Sequence, residues 1–340
     1  MRKVQILIPL LLALSCQVSA KPPLAIAIHG GAGTILKEKM SEETEAAVRA
    51  KLGEATNAGY AVLERGGASM DAVIAAIKIL EDSPLFNAGH GAVYTYDGKH
   101  ELDASLMDGA TLEAGAVTGV RHIGNPIDLA RLVMTESPHV MLMGEGAEAF
   151  ARSQGMVMVD NEIFNTERAH QSLLKAREKL KEQEALGKDY QAQVNELPPA
   201  YLYGTVGAVA LDANGNLSAG TSTGGMTAKR YGRIGDAPII GAGTWADNAS
   251  CAVSATGHGE YFIRYHVAAD ICSRVKYQGI PAAKAAEHVI QDVLLPAGGT
   301  GGVIVLDALG NISMSFNTAG MYRASRSSSS ALETGIYKQN

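Results

Sequence analysis

The stretch Gly204-Thr205-Val206-Gly207-Ala208-Val209-Ala210-Leu211-Asp212-Ala213-Asn214-Gly215-Asn216 joins a glycine–threonine pair to a run of small apolar residues. The Asn-Gly pair that ends it is a strong hairpin signal, so the run is predicted to be a strand that turns back on itself. Glycine before the threonine tolerates strained backbone. Two interpretations remain open here: an ordinary loop-to-strand junction, or a cleavage point that frees Thr205 as an N-terminal nucleophile.

The segment that leads to this junction has a different composition. Residues 170–197 are rich in Lys, Arg, Glu and Gln and carry few large apolar side chains. Such a composition favours a solvated helix that frays into a linker. We therefore expect residues 170–204 to be the most mobile part of the chain.

The overall composition limits the class of protein. The chain has 340 residues, of which 46% are hydrophobic, which is ample for one large domain or two smaller ones. Its net charge of -6 and the lack of a basic run argue against nucleic acid as a partner.

The first 20 residues have the pattern of an export signal. A positive start at Arg2 and Lys3 precedes a short apolar run and a small-residue cleavage site that ends at Ala20. The run is too short to span a membrane, so an exported, soluble protein in the periplasm or outside the cell is predicted, with no membrane partner. Residues 13–16 also resemble a lipoprotein signal with Cys16 as the lipidated residue, but Ala in place of Leu at their start speaks against it.

Two cysteines remain after this leader, Cys251 in a predicted strand and Cys272 on a predicted helix. Two cysteines do not make a disulfide framework in a chain of this size. We expect two buried, unpaired thiols, with pairing in an oxidising compartment as the alternative. The sequence has no CxxC or HExxH motif and no histidines at metal-ligand spacing, so no catalytic transition metal is expected.

The order of predicted elements indicates layers of helices on sheets. A continuous apolar run, residues 24–28, predicts a strand covered on both faces, and two helices follow over 41–65 and from an N-cap at Ser69. Strands, then helices, then strands again occupy the half of the chain after Thr205. Residues 306–313 repeat the hairpin pattern of residues 211–218.

Several hydroxyl-rich stretches flanked by glycine could carry chemistry, because such glycines let backbone N–H groups approach an oxyanion. They surround Thr205, Thr223 and Thr256. Arg233 and Asp236 lie three residues apart in a turn and could grip an amino acid, the arginine by its carboxylate and the aspartate by its ammonium group. A surface ion pair is the alternative interpretation.

One further motif competes for the nucleophile. Residues 220–224 match the G-x-S-x-G pattern, which would make Ser222 the nucleophile of an elbow. A nucleophile elbow leads directly into a helix, and the glycines that follow at 224, 225, 232 and 235 do not favour one. We therefore do not assign Ser222 this role.

Together these stretches closely resemble the plant-type L-asparaginase and isoaspartyl peptidase family of threonine-type N-terminal nucleophile hydrolases. The matching motifs occur in the family's order over nearly the whole chain after the leader: IHGGAGT (28–34), PLFNAGHGAV (84–93), HELDASLMDG (100–109), GTVGAVALD (204–212), STGGMTAKRYGRIGD (222–236), ATGHGE (255–260) and FNTAGMYRA (316–324).

The resemblance implies an α+β fold, a four-layer αββα sandwich, in a single hydrolase domain of residues 21–340. It also implies self-cleavage between Gly204 and Thr205, which would yield an α chain of 21–204 and a β chain of 205–340. As the first residue of a new chain, a threonine can use its own amine as the base. The implied activity is the hydrolysis of β-aspartyl amide bonds in isoaspartyl dipeptides and L-asparagine.

Site residues follow from the resemblance position by position. The implied catalytic residues are Thr205, Thr223, Thr256 and Gly257. Those implied to bind substrate are Arg233, Asp236, Gly259 and Asn87. No cofactor for catalysis is implied, but the loop from Leu80 to His90 resembles one whose backbone binds a structural sodium ion, with Leu80, Glu81, Phe86, Ala88 and His90 as its candidates.

The resemblance further implies a homodimer of αβ units. Within the same chemistry, a glycosylasparaginase-like amidase is the alternative. From another class, a periplasmic amino-acid binding protein without turnover would share the export signal and the Arg/Asp pair.

Overall fold

A computed structural model describes residues 23–197 and 204–338. Within these ranges the strands form an eight-stranded sheet with the order β12-β11-β1-β5-β6-β2-β3-β4 and a four-stranded sheet with the order β10-β9-β8-β7. The strands are β1 Ala25–Gly33, β2 Leu102–Asp108, β3 Ala114–Val120, β4 Met141–Met143, β5 Val206–Leu211, β6 Leu217–Thr223, β7 Thr244–Ala246, β8 Cys251–Gly257, β9 Gly301–Asp307, β10 Ile312–Phe316, β11 Gly320–Ser327 and β12 Glu333–Tyr337. Neighbouring strands are antiparallel except β3 and β4.

Helices cover the outer face of each sheet. They are α1 Glu42–Glu64, α2 Ser69–Glu81, α3 Pro126–Glu136, α4 Gly144–Ser153, α5 Glu167–Ala185, α6 Tyr190–Asn195, α7 Gly259–Arg264, α8 Val267–Gln278, α9 Ala282–Glu287 and α10 Leu295–Ala297. A π-helical stretch, His288–Leu294, joins α9 to α10. Short 3-10 helices span Lys37–Lys39, Gly89–Gly91 and Asn161–Phe164.

The layers confirm the predicted αββα sandwich. Helices α1, α2 and α3 pack on the large sheet, and α8 and α9 pack on the small one. A third apolar layer lies between the two sheets and includes Val209, Leu217 and Ile304. Each sheet thus has one face toward the other sheet and one toward helices, which buries apolar side chains on both.

Strand β1 is an interior strand of the large sheet. All nine of its residues are buried, as the unbroken apolar run predicted, and it pairs with β5 on one side and β11 on the other. The predicted turn at Asn214-Gly215 is also confirmed: β5 and β6 form a hairpin with Leu211 opposite Leu217. The related hairpin at 306–313 lies in the small sheet, between β9 and β10.

The start of α2 differs from the prediction by one residue. Ala68, not Ser69, occupies the N-cap position, and Ser69 is already helical. The Ser69 hydroxyl lies 2.9 Å from Ser218 Oγ, so it ties the helix to β6 instead of capping it.

The segment from 170 to 197 is more structured than its composition suggested. Helix α5 buries one face, and its apolar residues form a small core with Tyr94 and Ala228. The buried residues of that face are Ala169, Leu173, Ala176 and Leu180. They recur every three or four positions, so a few apolar residues suffice for a helix to pack.

The expectation of two unpaired thiols is wrong, because Cys251 and Cys272 form a disulfide. Cys251 begins β8 and Cys272 lies on α8, which packs across that strand and brings the two Cα atoms to 5.3 Å. This separation is within the range that a disulfide requires.

The proposed leader at residues 1–20 and Cys16 lie outside the described residues, as does the end of the predicted linker at 198–203. In the described part of the chain, no helix is long and apolar enough to cross a membrane.

Candidate active site

The Gly204–Thr205 junction lies at the start of β5, and Thr205 is 5% exposed. Gly204 has a φ of 153°, a conformation that favours glycine. A Cβ at this position would also lie 2.9 Å from the Cβ of Asn87. Glycine is thus required before the threonine for both its backbone angle and its close contact with Asn87.

Three side chains donate hydrogen bonds to the carbonyl oxygen of Gly204. The Thr205 hydroxyl lies at 2.7 Å, the Thr223 hydroxyl at 2.9 Å and Asn87 Nδ2 at 2.9 Å. Donors placed on a carbonyl oxygen polarise the carbon and stabilise the oxyanion that forms when a nucleophile attacks it. The Thr205 and Thr223 hydroxyls lie 3.3 Å apart, so the nucleophile predicted from sequence and its predicted neighbour are in contact.

Asn87 is held in place by its surroundings. Its Nδ2 donates a second bond to the Gly225 carbonyl at 2.7 Å, and its Oδ1 accepts from Val93 N at 2.9 Å. These bonds fix which side of the amide faces Gly204. The asparagine therefore presents a donor, not an acceptor, to the junction.

His29 forms a hydrogen bond with the backbone carbonyl of Thr205. It is fully buried in β1, with Nδ1 at 3.0 Å from the Thr205 carbonyl and Nε2 at 2.9 Å from Ser254 Oγ. Burial lowers the pKa of His29 from 6.5 to about 3, so its ring is neutral. Since a carbonyl can only accept, Nδ1 carries the proton and Nε2 accepts from Ser254.

A chain of buried hydroxyls extends this contact across both sheets. The hydroxyl chain consists of Ser254, Thr221, Thr244 and Ser105, whose oxygens follow one another at 2.6, 2.6 and 2.7 Å. Because Ser254 gives its proton to His29, Thr221 donates to Ser254 and Thr244 donates to Thr221. Ser105 Oγ also lies 2.6 Å from the Ala237 carbonyl oxygen, so its single proton cannot serve both that carbonyl and Thr244. A directed run of hydrogen bonds thus leads from Thr244 to the Thr205 carbonyl.

Gly207 makes room for this arrangement. A Cβ there would lie 2.0 Å from Ser254 Oγ and 2.5 Å from His29 Nε2. Any side chain at this position would break the bond between them.

Thr256 and Gly257 end β8, on the sheet opposite the junction. The Thr256 hydroxyl accepts from Ala32 N at 3.3 Å, which leaves its own proton free to donate. Ala32 follows Gly31, whose Cβ position would lie 3.3 Å from Gly204 Cα. Strand β1 thus connects the predicted oxyanion residues to the junction.

Arg233, Asp236 and Gly259 form a second group, here called the clamp. Arg233 Nε and Nη2 each donate to Glu260 at 3.0 Å, a bidentate pair. A Cβ on Gly259 would lie 2.9 Å from Asp236 Oδ1 and 3.0 Å from Arg233 Nη2. Only glycine lets the start of α7 approach both charged groups so closely.

Asp236 is a buried carboxyl group with an incomplete set of hydrogen bonds. It is 4% exposed, and among the described residues its Oδ2 has no hydrogen-bond partner. Burial raises the pKa of Asp236 to about 7, against the opposing effect of the Arg233 charge. A buried acid without a full set of partners, in a cleft beside an arginine, is the kind of group that binds a ligand cation.

Of the clamp residues, Arg233 lines a cavity of about 530 Å³, together with Met226 and His258. These two residues come within three positions of Thr223 and Thr256, so the cavity adjoins the strand ends that carry the nucleophile group.

In the loop from Leu80 to His90 and the residue that follows, backbone carbonyls lie very close to two glycines, Gly89 and Gly91. A Cβ on Gly89 would lie 2.4 Å from the Glu81 carbonyl oxygen, and one on Gly91 would lie 1.9 Å from that of Phe86. The Leu80 and Ala88 carbonyls accept backbone bonds from Ser83 and Gly91. The His90 side chain is exposed. Among the described residues no group of three His, Cys, Asp or Glu side chains could hold a metal ion, so any ion here would depend on backbone oxygens.

The glutamate of this loop turns inward. Glu81 Oε1 accepts from Ser222 at 2.6 Å and from Ile127 N at 3.2 Å, and burial raises the pKa of Glu81 to about 8. This contact also settles the competing motif. Ser222 lies within β6 and forms a hydrogen bond with Glu81, so residues 220–223 are strand and the motif is not a nucleophile elbow.

Three contributors were missed from the sequence. They are His29, Ser254 and Glu260. A histidine in an otherwise apolar buried strand was a usable signal for the first, because such a side chain needs partners. Nothing local indicated that Ser254 would reach β1 or that Glu260 would pair with Arg233, since both contacts join residues far apart in the chain.

Known proteins resemble this chain over most of its length. A family model described as asparaginase matches residues 22–336. An isoaspartyl peptidase of Salmonella typhimurium is 50% identical over 317 residues, which cover 92% of this chain and 98% of that relative. An isoaspartyl peptidase/L-asparaginase of Mus musculus is 42% identical over 298 residues, with coverages of 88% and 86%. A plant-type L-asparaginase of Pyrococcus abyssi is 44% identical over 299 residues, with coverages of 88% and 94%. With the αββα sandwich and a threonine whose neighbours converge on the preceding carbonyl, these matches establish that the chain belongs to the asparaginase and isoaspartyl peptidase family of N-terminal nucleophile hydrolases.

Proposed function

We propose that this protein is an isoaspartyl peptidase with L-asparaginase activity, which activates itself by cleavage between Gly204 and Thr205. The observation that carries the proposal is the convergence of three donors, from Thr205, Thr223 and Asn87, on the Gly204 carbonyl oxygen. An ordinary loop-to-strand junction needs no such arrangement. The names of the relatives point to the same activity.

The cleavage follows from these contacts. Thr205 Oγ1 attacks the Gly204 carbonyl carbon, and Asn87 Nδ2 and the Thr223 hydroxyl stabilise the oxyanion. The peptide C–N bond breaks as the Thr205 nitrogen takes up the proton that Oγ1 loses, which leaves an ester between Gly204 and the Thr205 oxygen. Water hydrolyses the ester and yields a Gly204 carboxylate and a free Thr205 amine.

Turnover then uses the new amine. It accepts the proton of Thr205 Oγ1, which attacks the side-chain carbonyl of a β-aspartyl substrate. The Thr256 hydroxyl and Gly257 N–H stabilise the oxyanion, and the leaving amine takes the proton as its C–N bond breaks. Water hydrolyses the β-aspartyl ester and releases aspartate. No cofactor enters any of these steps.

The clamp defines the substrate class. Arg233 would hold the α-carboxylate of the aspartyl residue, and Asp236 with the Gly259 carbonyl would hold its α-ammonium group. Both groups are free in L-asparagine, in its derivatives substituted on the side-chain amide, and in peptides that begin with an isoaspartyl residue. Internal sites in proteins are therefore excluded as substrates.

Mass spectrometry under denaturing conditions, on the wild type and on Thr205→Ala, tests the proposal together with an assay on β-aspartyl-leucine. We expect two fragments from the wild type, one of them starting at Thr205, and a single inactive chain from the variant. A wild-type chain that stays intact yet binds amino acids would favour the non-catalytic binding protein instead.

We also propose that the loop from Leu80 to His90 binds a structural sodium ion. The Glu81 carbonyl oxygen lies beside Gly89 and the Phe86 carbonyl oxygen lies beside Gly91, and a hard cation prefers such oxygen ligands. Leu80, Ala88 and His90 would contribute through their backbones. A melting temperature that is higher in sodium than in an equal concentration of tetramethylammonium would support the site; equal values would contradict it.

We further propose that the protein is exported with residues 1–20 removed. The Cys251–Cys272 disulfide supports an oxidising compartment, where such bonds persist. N-terminal sequencing of protein from the periplasm or medium tests this, with Lys21 expected first.

Finally, we infer a dimer of αβ units. The edge strand β4 leaves Met143 70% exposed, and an apolar sheet edge favours pairing with another chain. Light scattering during size-exclusion chromatography would measure the mass directly.

A further inference from the structure

A cleft of about 510 Å³ lies beside the junction on the side of β1, and the mechanism above does not use it. It is formed where β1 ends, and its lining includes Leu36, Lys39, Met40, Asn87, Arg168 and Gly204. Its size suits one or two amino-acid residues. Two of its lining residues, Asn87 and Gly204, are in direct contact with each other at the nucleophile.

Among the described residues, the charged side chains that line this cleft are all positive. Lys39 and Arg168 line it, whereas no Asp or Glu is among its lining residues. In the part of the chain that the structure describes, neither cation forms an ion pair. A site with two uncompensated cations selects for an anionic ligand.

Hydrogen bonds to backbone carbonyls orient the Arg168 side chain and occupy only part of its donors. Its Nη2 donates to the carbonyls of Pro84 at 3.1 Å and Gly91 at 3.2 Å. A guanidinium group has five N–H donors, so the N–H groups of Nε and Nη1 remain available. Because these two atoms point to different sides of the guanidinium group, each can donate a single hydrogen bond to a carboxylate.

The cleft is separate from the clamp. No residue that lines the cleft lines the cavity of Arg233 and His258, whereas Asn87 and Gly204, which contact each other beside the nucleophile, do line the cleft. A substrate whose aspartyl α groups occupy the clamp, with its side-chain carbonyl at Thr205, continues beyond that carbonyl into its leaving group.

We propose that this cleft binds the leaving amino acid of an isoaspartyl dipeptide, with Arg168 and Lys39 holding its free α-carboxylate. The aliphatic side chains of Leu36 and Met40 would contact the side chain of the same residue. The proposal rests on the proposed function and extends it, because it makes the protein a peptidase first: L-asparagine releases ammonia, which has no carboxylate to bind.

Kinetics of the matured enzyme on three substrates test this assignment. They are β-aspartyl-leucine, β-aspartyl-leucinamide, in which the carboxylate is blocked, and L-asparagine. For the wild type we expect kcat/KM to be about ten- to a hundredfold higher for the free dipeptide than for its amide, the size of one or two hydrogen bonds to charged groups. In Arg168→Gln the ratio of kcat/KM between dipeptide and asparagine should fall by most of that factor, and the discrimination between acid and amide should shrink to the part that Lys39 contributes.

Matched control variants test whether the change in this ratio is specific to the cations of the cleft. Lys39→Gln should lower the same ratio by a smaller factor, whereas Lys37→Gln, two residues away and outside the lining, and Arg152→Gln on α4 should leave it unchanged. A wild type that hydrolyses acid and amide equally well would overturn the assignment. So would an Arg168→Gln variant that loses the same factor on all three substrates. A matured wild type that hydrolyses none of the three would instead refute the proposed function, so the two failures are distinguishable.

Discussion

The nucleophile group and the clamp are built in opposite ways. Around Thr205, the carbonyl of Gly204 already has three donors, and the amide of Asn87 is bonded at both ends. In the clamp, Asp236 keeps an oxygen with no partner among the described residues, and Arg233 bonds to Glu260 and not to Asp236.

The difference follows from what each group acts on first. The nucleophile group acts on its own chain, so its first substrate, the Gly204–Thr205 bond, is already in place and satisfies the donors. The clamp acts only on a molecule from solution, so its ligand-binding atoms remain incompletely bonded until one arrives. Variants should therefore separate cleavage from turnover, and the following four tests are ordered by the size of the effect expected.

The largest effect is expected for Asn87→Asp. A carboxylate can still accept from Val93 N but cannot donate to the Gly204 carbonyl, so one oxyanion donor is lost. We expect self-cleavage to slow by about 100- to 1000-fold, as for other oxyanion donors. A time course of the intact chain by mass spectrometry measures this. Asn57→Asp, on the exposed face of α1, is the matched control, and wild-type cleavage by Asn87→Asp would show that the asparagine does not act on the junction.

Arg233→Ala should affect only turnover. Loss of a bidentate partner for the substrate carboxylate should lower kcat/KM on β-aspartyl-leucine by about a hundredfold. The kcat/KM of Arg233→Lys should lie between those of the wild type and Arg233→Ala, because an ammonium group lacks the planar fork of arginine. The rate of self-cleavage should not change in either variant; if it fell in parallel, the separation of the two groups would be refuted.

The pH dependence of ligand binding should report the clamp alone. Since burial raises the pKa of Asp236 to about 7, the carboxylate is mostly protonated at pH 6 and mostly ionised at pH 8. Only the ionised form attracts an ammonium group, so the Kd of the product L-aspartate should rise by about tenfold from pH 8 to pH 6. Isothermal titration calorimetry measures this. Asp236→Asn should bind weakly at both values; a retained pH dependence in that variant would assign it to another group.

The smallest effect is expected for Ser254→Ala, which interrupts the hydroxyl chain. His29 Nε2 would lose its donor, and an unsatisfied buried acceptor costs about 1–3 kcal/mol of unfolding free energy. We expect kcat to fall by about three- to tenfold, with KM unchanged and a melting temperature lower by a few degrees. Ser254→Thr keeps a hydroxyl group, so its kcat and melting temperature should be close to those of the wild type. A KM that rises with no change in kcat would indicate a role in binding instead.

Local patterns explain how much of the fold was predictable. The unbroken apolar run of β1 and the Asn-Gly turn after β5 depend on neighbours in sequence, and both were found as expected. Helix α5 was underestimated because its four buried apolar residues, two alanines and two leucines, are separated mostly by polar and charged ones.

Contacts between distant parts of the chain explain what was missed. The pairing of Cys251 with Cys272 depends on where α8 crosses β8, and that of Arg233 with Glu260 depends on how α7 starts. Family resemblance supplied the members of the site, including Thr205 and Thr223. It did not supply their geometry, the neutral state of His29 or the partnerless oxygen of Asp236.

The strand order of the large sheet has a consequence for the protein after cleavage. In the sheet, groups of strands that precede Gly204 are interleaved with groups that follow it. Strand β1 lies between β11 and β5, and β2 pairs with β6. Cutting the chain therefore removes one covalent bond and no strand pairing. The two polypeptides can separate only if the sheet itself comes apart and exposes unpaired edges. The precursor folds as a single molecule, whereas the mature form, once denatured, must refold by a bimolecular encounter whose rate depends on concentration.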